Sequence, residues 1–256
     1  MEGLRPTPSA AQAARPIRGT PLAAFHRQVA RPIAALFMAL GVPPSLQSLG
    51  LTFLGVAALA GDRWVLRAEG AGLVYLGFLL DRAEAVIWER KGRPPPWNLY
   101  LAAAIDHLQD AALYVGLAVA SLRPMVDARW VWQPFAPATF LALCAAAVAL
   151  FLLVRLLETL GSAMLLRQHL LATRRLPGPS ALPRHGPVHP VVGRVLGRDE
   201  MVLGWCVGVA LAQVQLTLVA LVSAQVLLFV EAIALFRLRL RDPEVEASRV
   251  LGPEYP

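Results

Sequence analysis

Residues 201–236 read MVLGWCVGVALAQVQLTLVALVSAQVLLFVEAIALF, an apolar run whose one charged side chain is Glu231. A single helix of about 36 residues would be roughly 54 Å long at about 1.5 Å per residue. That far exceeds a hydrocarbon core about 30 Å thick. The run therefore predicts two short spans, over about 200–215 and 217–236, with a turn near Gln213–Thr217 that neither Gly nor Pro marks. Working back along the chain, further apolar blocks predict spans over about 45–60, 68–89, 97–122 and 135–158, the last continuing as helix toward Thr173. Gly41-Val42-Pro43-Pro44 precedes the first span, with Ser45 as its expected cap, and Pro94-Pro95-Pro96 separates the second from the third. The fold class read here is an all-α integral membrane protein, a six-helix bundle.

The arginines give a separate check on that count. Arg5, Arg15, Arg18, Arg27 and Arg31 precede the first span, and Arg90, Lys91 and Arg93 follow the second. Arg167, Arg174, Arg175, Arg184, Arg194 and Arg198 follow the fourth, and Arg237, Arg239 and Arg241 the sixth. The alternate loops hold only Arg63 and Arg67, then Arg123 and Arg129. By the positive-inside rule both termini are cytoplasmic, which requires an even number of spans. A bacterial inner membrane is the expected location.

Composition agrees. The 256 residues are 57% hydrophobic and 16% charged, with a mean hydropathy of +0.55, more apolar and less charged than soluble domains. The net charge of +7 rests on arginine, since Lys91 is the sole lysine. Its placement between apolar blocks points to anionic headgroups and away from nucleic acid. Cys144 and Cys206 lie inside apolar blocks and read as small buried hydrophobes. Residues 1–20 lack an apolar core and read as a disordered cytoplasmic tail, and 242–256 as a second tail. Residues 21–241 form the membrane domain, opening with an amphipathic interfacial helix over 21–40 that carries His26, Arg27 and Arg31.

Carboxylates inside the predicted spans are the strongest functional signal. Asp81 and Glu84 stand i,i+3 in the second span, Asp106 and Asp110 i,i+4 in the third, so each pair shares a helix face. Asp81 and Asp106 each lie about nine residues, roughly 13 Å, from the intervening loop, so an antiparallel hairpin can bring all four to one depth. Each charge within a span costs at least about 2.5–3.5 kcal/mol, and such groups usually mark function. An all-oxygen cluster of this kind suits Mg²⁺ or Mn²⁺, and two ions together would serve phosphoryl transfer.

With these residues in view, the chain resembles the CDP-alcohol phosphatidyltransferase family, whose signature is D-x-x-D-G-x-x-A-R followed by G-x-x-x-D-x-x-x-D. Here the first part reads Asp81, Glu84, Ala85, Trp88 and Glu89 at the defining positions, with Arg90 one residue late. The second reads Ala102, Asp106 and Asp110, about four residues further on than usual. The approach to the first span, Arg31-Pro32 and then Gly41-Val42-Pro43-Pro44-Ser45 to Ser48, is similar to the family's as well. The resemblance covers about Arg31 to Phe236 and keeps the carboxylates better than the two glycines, the Ala and the Arg.

The resemblance implies that Asp81, Glu84, Asp106 and Asp110 hold two divalent ions, and that Asp110 can act as general base. The reaction implied is attack of an acceptor hydroxyl on a CDP-linked lipid with release of CMP. Ala85, Trp88, Arg90, Arg155 and Arg198 are the implied substrate contacts, and a homodimer is implied by the family's habit. Two other readings stay open: a protein of the same fold that binds lipid with its chemistry lost or altered, and an ion-coupled transporter. His185 and His189 are four apart, but Gly186, Pro187 and Pro190 exclude the helix that would pair them.

Overall fold

The computed structural model describes residues 20–91, 96–123, 127, 131, 135–173 and 197–241. The two expected tails, and the 174–196 segment with His185 and His189, lie outside the described residues, apart from Thr20. Seven helices and no strand are found among those described: α1 (Pro21–Leu40), α2 (Ser45–Ala58), α3 (Trp64–Lys91), α4 (Pro96–Leu122), α5 (Pro137–Thr173), α6 (Arg198–Ala210) and α7 (Val214–Arg241).

Local chemistry sets several of these ends. Thr20 Oγ1 accepts a hydrogen bond from Ala23 N at 3.1 Å and caps α1, whose C-terminus closes on Gly41 at φ 68°. At α2, Pro44 rather than Ser45 is the cap position and makes no side-chain cap bond; Ser45 is the first helical residue and is buried. The turn between α6 and α7 is a Schellman motif. Ala212 N donates to Val209 O at 2.9 Å and Gln213 N to Gly208 O at 2.8 Å, with Ala212 left-handed at φ 64°. The turn spans 211–213, at the leading edge of the expected position, because those two hydrogen bonds need only one left-handed residue and an alanine supplies it.

α3 is the centre of the packing, touching α2, α1 and α6, while α5 lies along α7 and α4 fills the space between α2, α5 and α7. α2 and α3 meet backbone to backbone at Gly55 and Gly70: a Cβ on Gly70 would stand 2.5 Å from Gly55 O, and one on Gly55 would collide with Gly70 O. The main core runs through Val56, Leu59, Val74, Phe78, Leu117, Phe140, Trp205 and Leu218. A second, smaller core seats α1 on the C-terminal half of α3 through Ala30, Ala34, Ala83, Val86 and Ile87.

Among the described residues two helical segments, Pro137–Leu157 of α5 and Val214–Ala234 of α7, are long and apolar enough to cross a membrane. α2 is apolar but short. Large apolar side chains are exposed on every helix, among them Leu36, Leu54, Leu76, Val115, Leu152, Val207 and Val230.

Candidate functional site

The site lies where the C-terminal half of α3, the N-terminal half of α4 and the N-terminus of α6 converge. Asp81 projects from α3; Asp106, Gln109 and Asp110 share one face of α4, as i,i+3 and i,i+4 spacing dictates. Between them stands Arg198, the first residue of α6. Its Nη1 is 2.8 Å from Asp81 Oδ2 and 2.6 Å from Asp106 Oδ1, its Nε is 3.0 Å from Asp110 Oδ1, and its Nη2 donates to Gln109 Oε1 at 2.8 Å. One guanidinium thus engages three carboxylates from two helices. Asp81 and Asp106 share a single nitrogen, so their carboxylates stand side by side.

Arg155, from α5, adds a second cation at 3.6 Å from Asp110 Oδ2 and sits over the Phe151 ring. Gln109 Nε2 donates to Ser48 Oγ and so connects the cluster to α2. Beside the cluster is a small cavity lined by Thr52, Phe78, Gln109, Asp110 and Arg198. A second, mostly apolar cavity runs from Asp110 and Arg198 toward Trp205 and Gln225.

Glu84 is not among the carboxylates that Arg198 touches; Trp88 Nε1 donates to its Oε1 at 3.4 Å, one turn nearer the 92–95 segment. Ala85 and Arg90 are exposed and Trp88 is half-buried on the same stretch of α3. The expected site residues therefore separate into an ion-paired group of Asp81, Asp106, Asp110, Arg155 and Arg198, of which Asp110 is buried and the others partly so, and an outer group of Glu84, Ala85, Trp88 and Arg90.

A neighbouring group was not expected from the sequence. Asp199 accepts from Arg82 Nη2 at 2.7 Å and pairs with His26 Nδ1 at 2.8 Å, joining α6 to α3 and to α1. His26 is fully buried against Tyr75 and Phe78. The available signal was the dipeptide Arg198-Asp199 at the start of a span: adjacent helical residues point about 100° apart, so each charge can serve a different neighbour.

The donor set fits a hard divalent cation in kind, since the three aspartates that face one cationic group offer oxygen donors alone. Among the described residues no three such side chains close around a single point as a metal site. The chain matches no family model, no curated protein and no solved structure.

Proposed function

We propose that this protein is a six-span membrane enzyme that transfers a phospho-alcohol group from a CDP-linked lipid to an acceptor hydroxyl with release of CMP. The observation that supports this reading is the meeting of Asp81, Asp106 and Asp110 between α3 and α4. Exposed apolar side chains on every helix support lipid around the whole bundle. The proposed location is a bacterial inner membrane with both termini cytoplasmic, and the chain is proposed to pair as a homodimer.

In this reading Asp81, Asp106 and Asp110 hold Mg²⁺ or Mn²⁺, with Glu84 available to a second ion. The ion supplies charge neutralisation for the transferring phosphoryl group. Asp110 is the candidate base for the acceptor hydroxyl proton, and Arg155 and Arg198 bring guanidinium donors suited to phosphate oxygens. Ala85, Trp88 and Arg90 line the approach along α3.

A second reading has its own support: with Arg198 among the acids, the cluster is complete as a structural ion-pair network, as in a lipid-binding protein without turnover. Purified protein supplied with radiolabelled CDP-diacylglycerol, Mg²⁺ and a panel of acceptor alcohols separates the two. Metal-dependent CMP release, lost in Asp106→Asn and Asp110→Asn, is the expected result. Folded protein that releases no CMP with any acceptor would leave the structural reading standing.

A further inference from the structure

We infer that Arg198 is a resident counter-cation that must leave the three aspartates for a divalent ion to bind, so that binding of the ion and of a phosphate-bearing ligand are coupled through this one side chain. The inference rests on the metal-site reading above.

Asp81, Asp106 and Asp110 each give an oxygen to Arg198 within 2.6–3.0 Å. A hard cation taking those oxygens needs the same lone pairs and the same space. The two cations therefore compete. Counting Arg155 as a partner of Asp110, removal of Arg198 leaves the three carboxylates with a formal charge of −2, which one divalent ion matches.

The displaced guanidinium then needs a new anion, because a buried charge stripped of its partner is strongly unfavourable. The neighbouring acids are taken: Asp199 is held by His26 and Arg82, and Glu84 by Trp88. Glu200, two residues along α6, projects to a different face from Arg198. Gln109 is neutral, and Phe78, whose ring centroid is 5.9 Å from the guanidinium carbon, offers only a weak cation–π contact. An incoming phosphate satisfies the need, since a guanidinium fork matches phosphate oxygens. Each ligand thus removes the obstacle to the other, and by linkage the effect is reciprocal.

The experiment titrates Mn²⁺ into the purified full chain in detergent, reading free ion by electron paramagnetic resonance, with and without cytidine diphosphate. Complexation of Mn²⁺ by the nucleotide is measured in a protein-free titration and subtracted. Arg198→Gln is expected to bind Mn²⁺ about tenfold or more tightly than the wild type without nucleotide, and to gain less from cytidine diphosphate than the wild type gains. Arg198→Lys, which keeps the charge but cannot span three carboxylates, is expected to fall between them and carries the test if the Gln variant does not fold. Equal Mn²⁺ affinity in wild type and folded variants overturns the inference and leaves the metal site standing. Absence of Mn²⁺ binding in every folded form overturns the metal-site reading and the inference with it.

Discussion

At the scale of single residues, the acids are legible in sequence and their cation is not. Asp81, Asp106 and Asp110 stand out because each interrupts an apolar block at a position that helical spacing can align. Arg198 lies 88–117 residues from its partners, across a stretch whose sequence carries no periodic signal to set its direction. It reads equally well as an ordinary interfacial arginine. Glu84 shows the opposite failure: i,i+3 spacing placed it with Asp81, yet the indole one turn along, Trp88, takes its oxygen. Burial separates strong from weak charge pairs in this protein. Asp199 is buried and serves both His26 and Arg82, so Asp199→Asn leaves Arg82 without a counter-charge and loosens α1. The expected loss is at the lower end of about 3–5 kcal/mol, since Arg82 keeps partial solvent access. Both members of the Arg27–Glu89 pair are more than half exposed, so Glu89→Ala should cost less than about 1 kcal/mol. Thermal unfolding in detergent ranks the two variants; equal melting temperatures would remove the His26–Asp199–Arg82 group from the account of stability.

Among the helices, what the sequence hides is where backbones touch. The turn after α6 closes on Ala212, a residue type that carries no turn signal, so only the length of the apolar run announces it. The contact of α2 with α3 is likewise silent, because Gly70 and Gly72 sit two residues apart in one apolar block and look alike. In the fold they differ completely. Gly70 faces the Gly55 carbonyl with no room for a methyl group, and the obstacle is backbone, which cannot rotate aside. Gly72 has nothing within 4 Å of where its Cβ would stand. Gly70→Ala should therefore force α2 and α3 apart and cost about 1–3 kcal/mol, as overpacking does. Gly72→Ala should be neutral or stabilise the helix by up to about 1 kcal/mol. A matched pair of melting curves checks this, and a Gly70→Ala protein as stable as Gly72→Ala would show that the close approach is not required.

For the whole molecule, hydropathy and charge pattern speak at different strengths. Length and apolarity single out α5 and α7, whereas α2 and α6, at 14 and 13 residues, reach only about 20 Å. α3 and α4 are long but carry charged side chains within their apolar stretches, among them Asp81, Asp106 and Asp110. The expectation of six crossings rests on the alternation of arginine-rich and arginine-poor loops in the sequence. At one end of the fold Arg67 donates to Gly61 O and Arg123 O, and Trp64 Nε1 to Ala210 O, tying the first turn of α3 to the ends of α2, α4 and α6. At the other end lie the ion pairs of Arg198 and Asp199, together with Arg27, Arg90 and Lys91. If α3 crosses the bilayer, Asp62 and Lys91, both exposed, stand on opposite sides of it. The two cysteines are buried and can be replaced by alanine to give a silent background. In that background Asp62→Cys should react with a membrane-impermeant maleimide on intact bacterial cells, and Lys91→Cys only after permeabilisation. Labelling of both from outside would show that α3 does not cross, and labelling of Lys91→Cys alone would invert it; either outcome puts the Lys91 end of α3 outside. The carboxylate site would then have to face a compartment without the cytoplasmic nucleotide pool that its proposed donor requires.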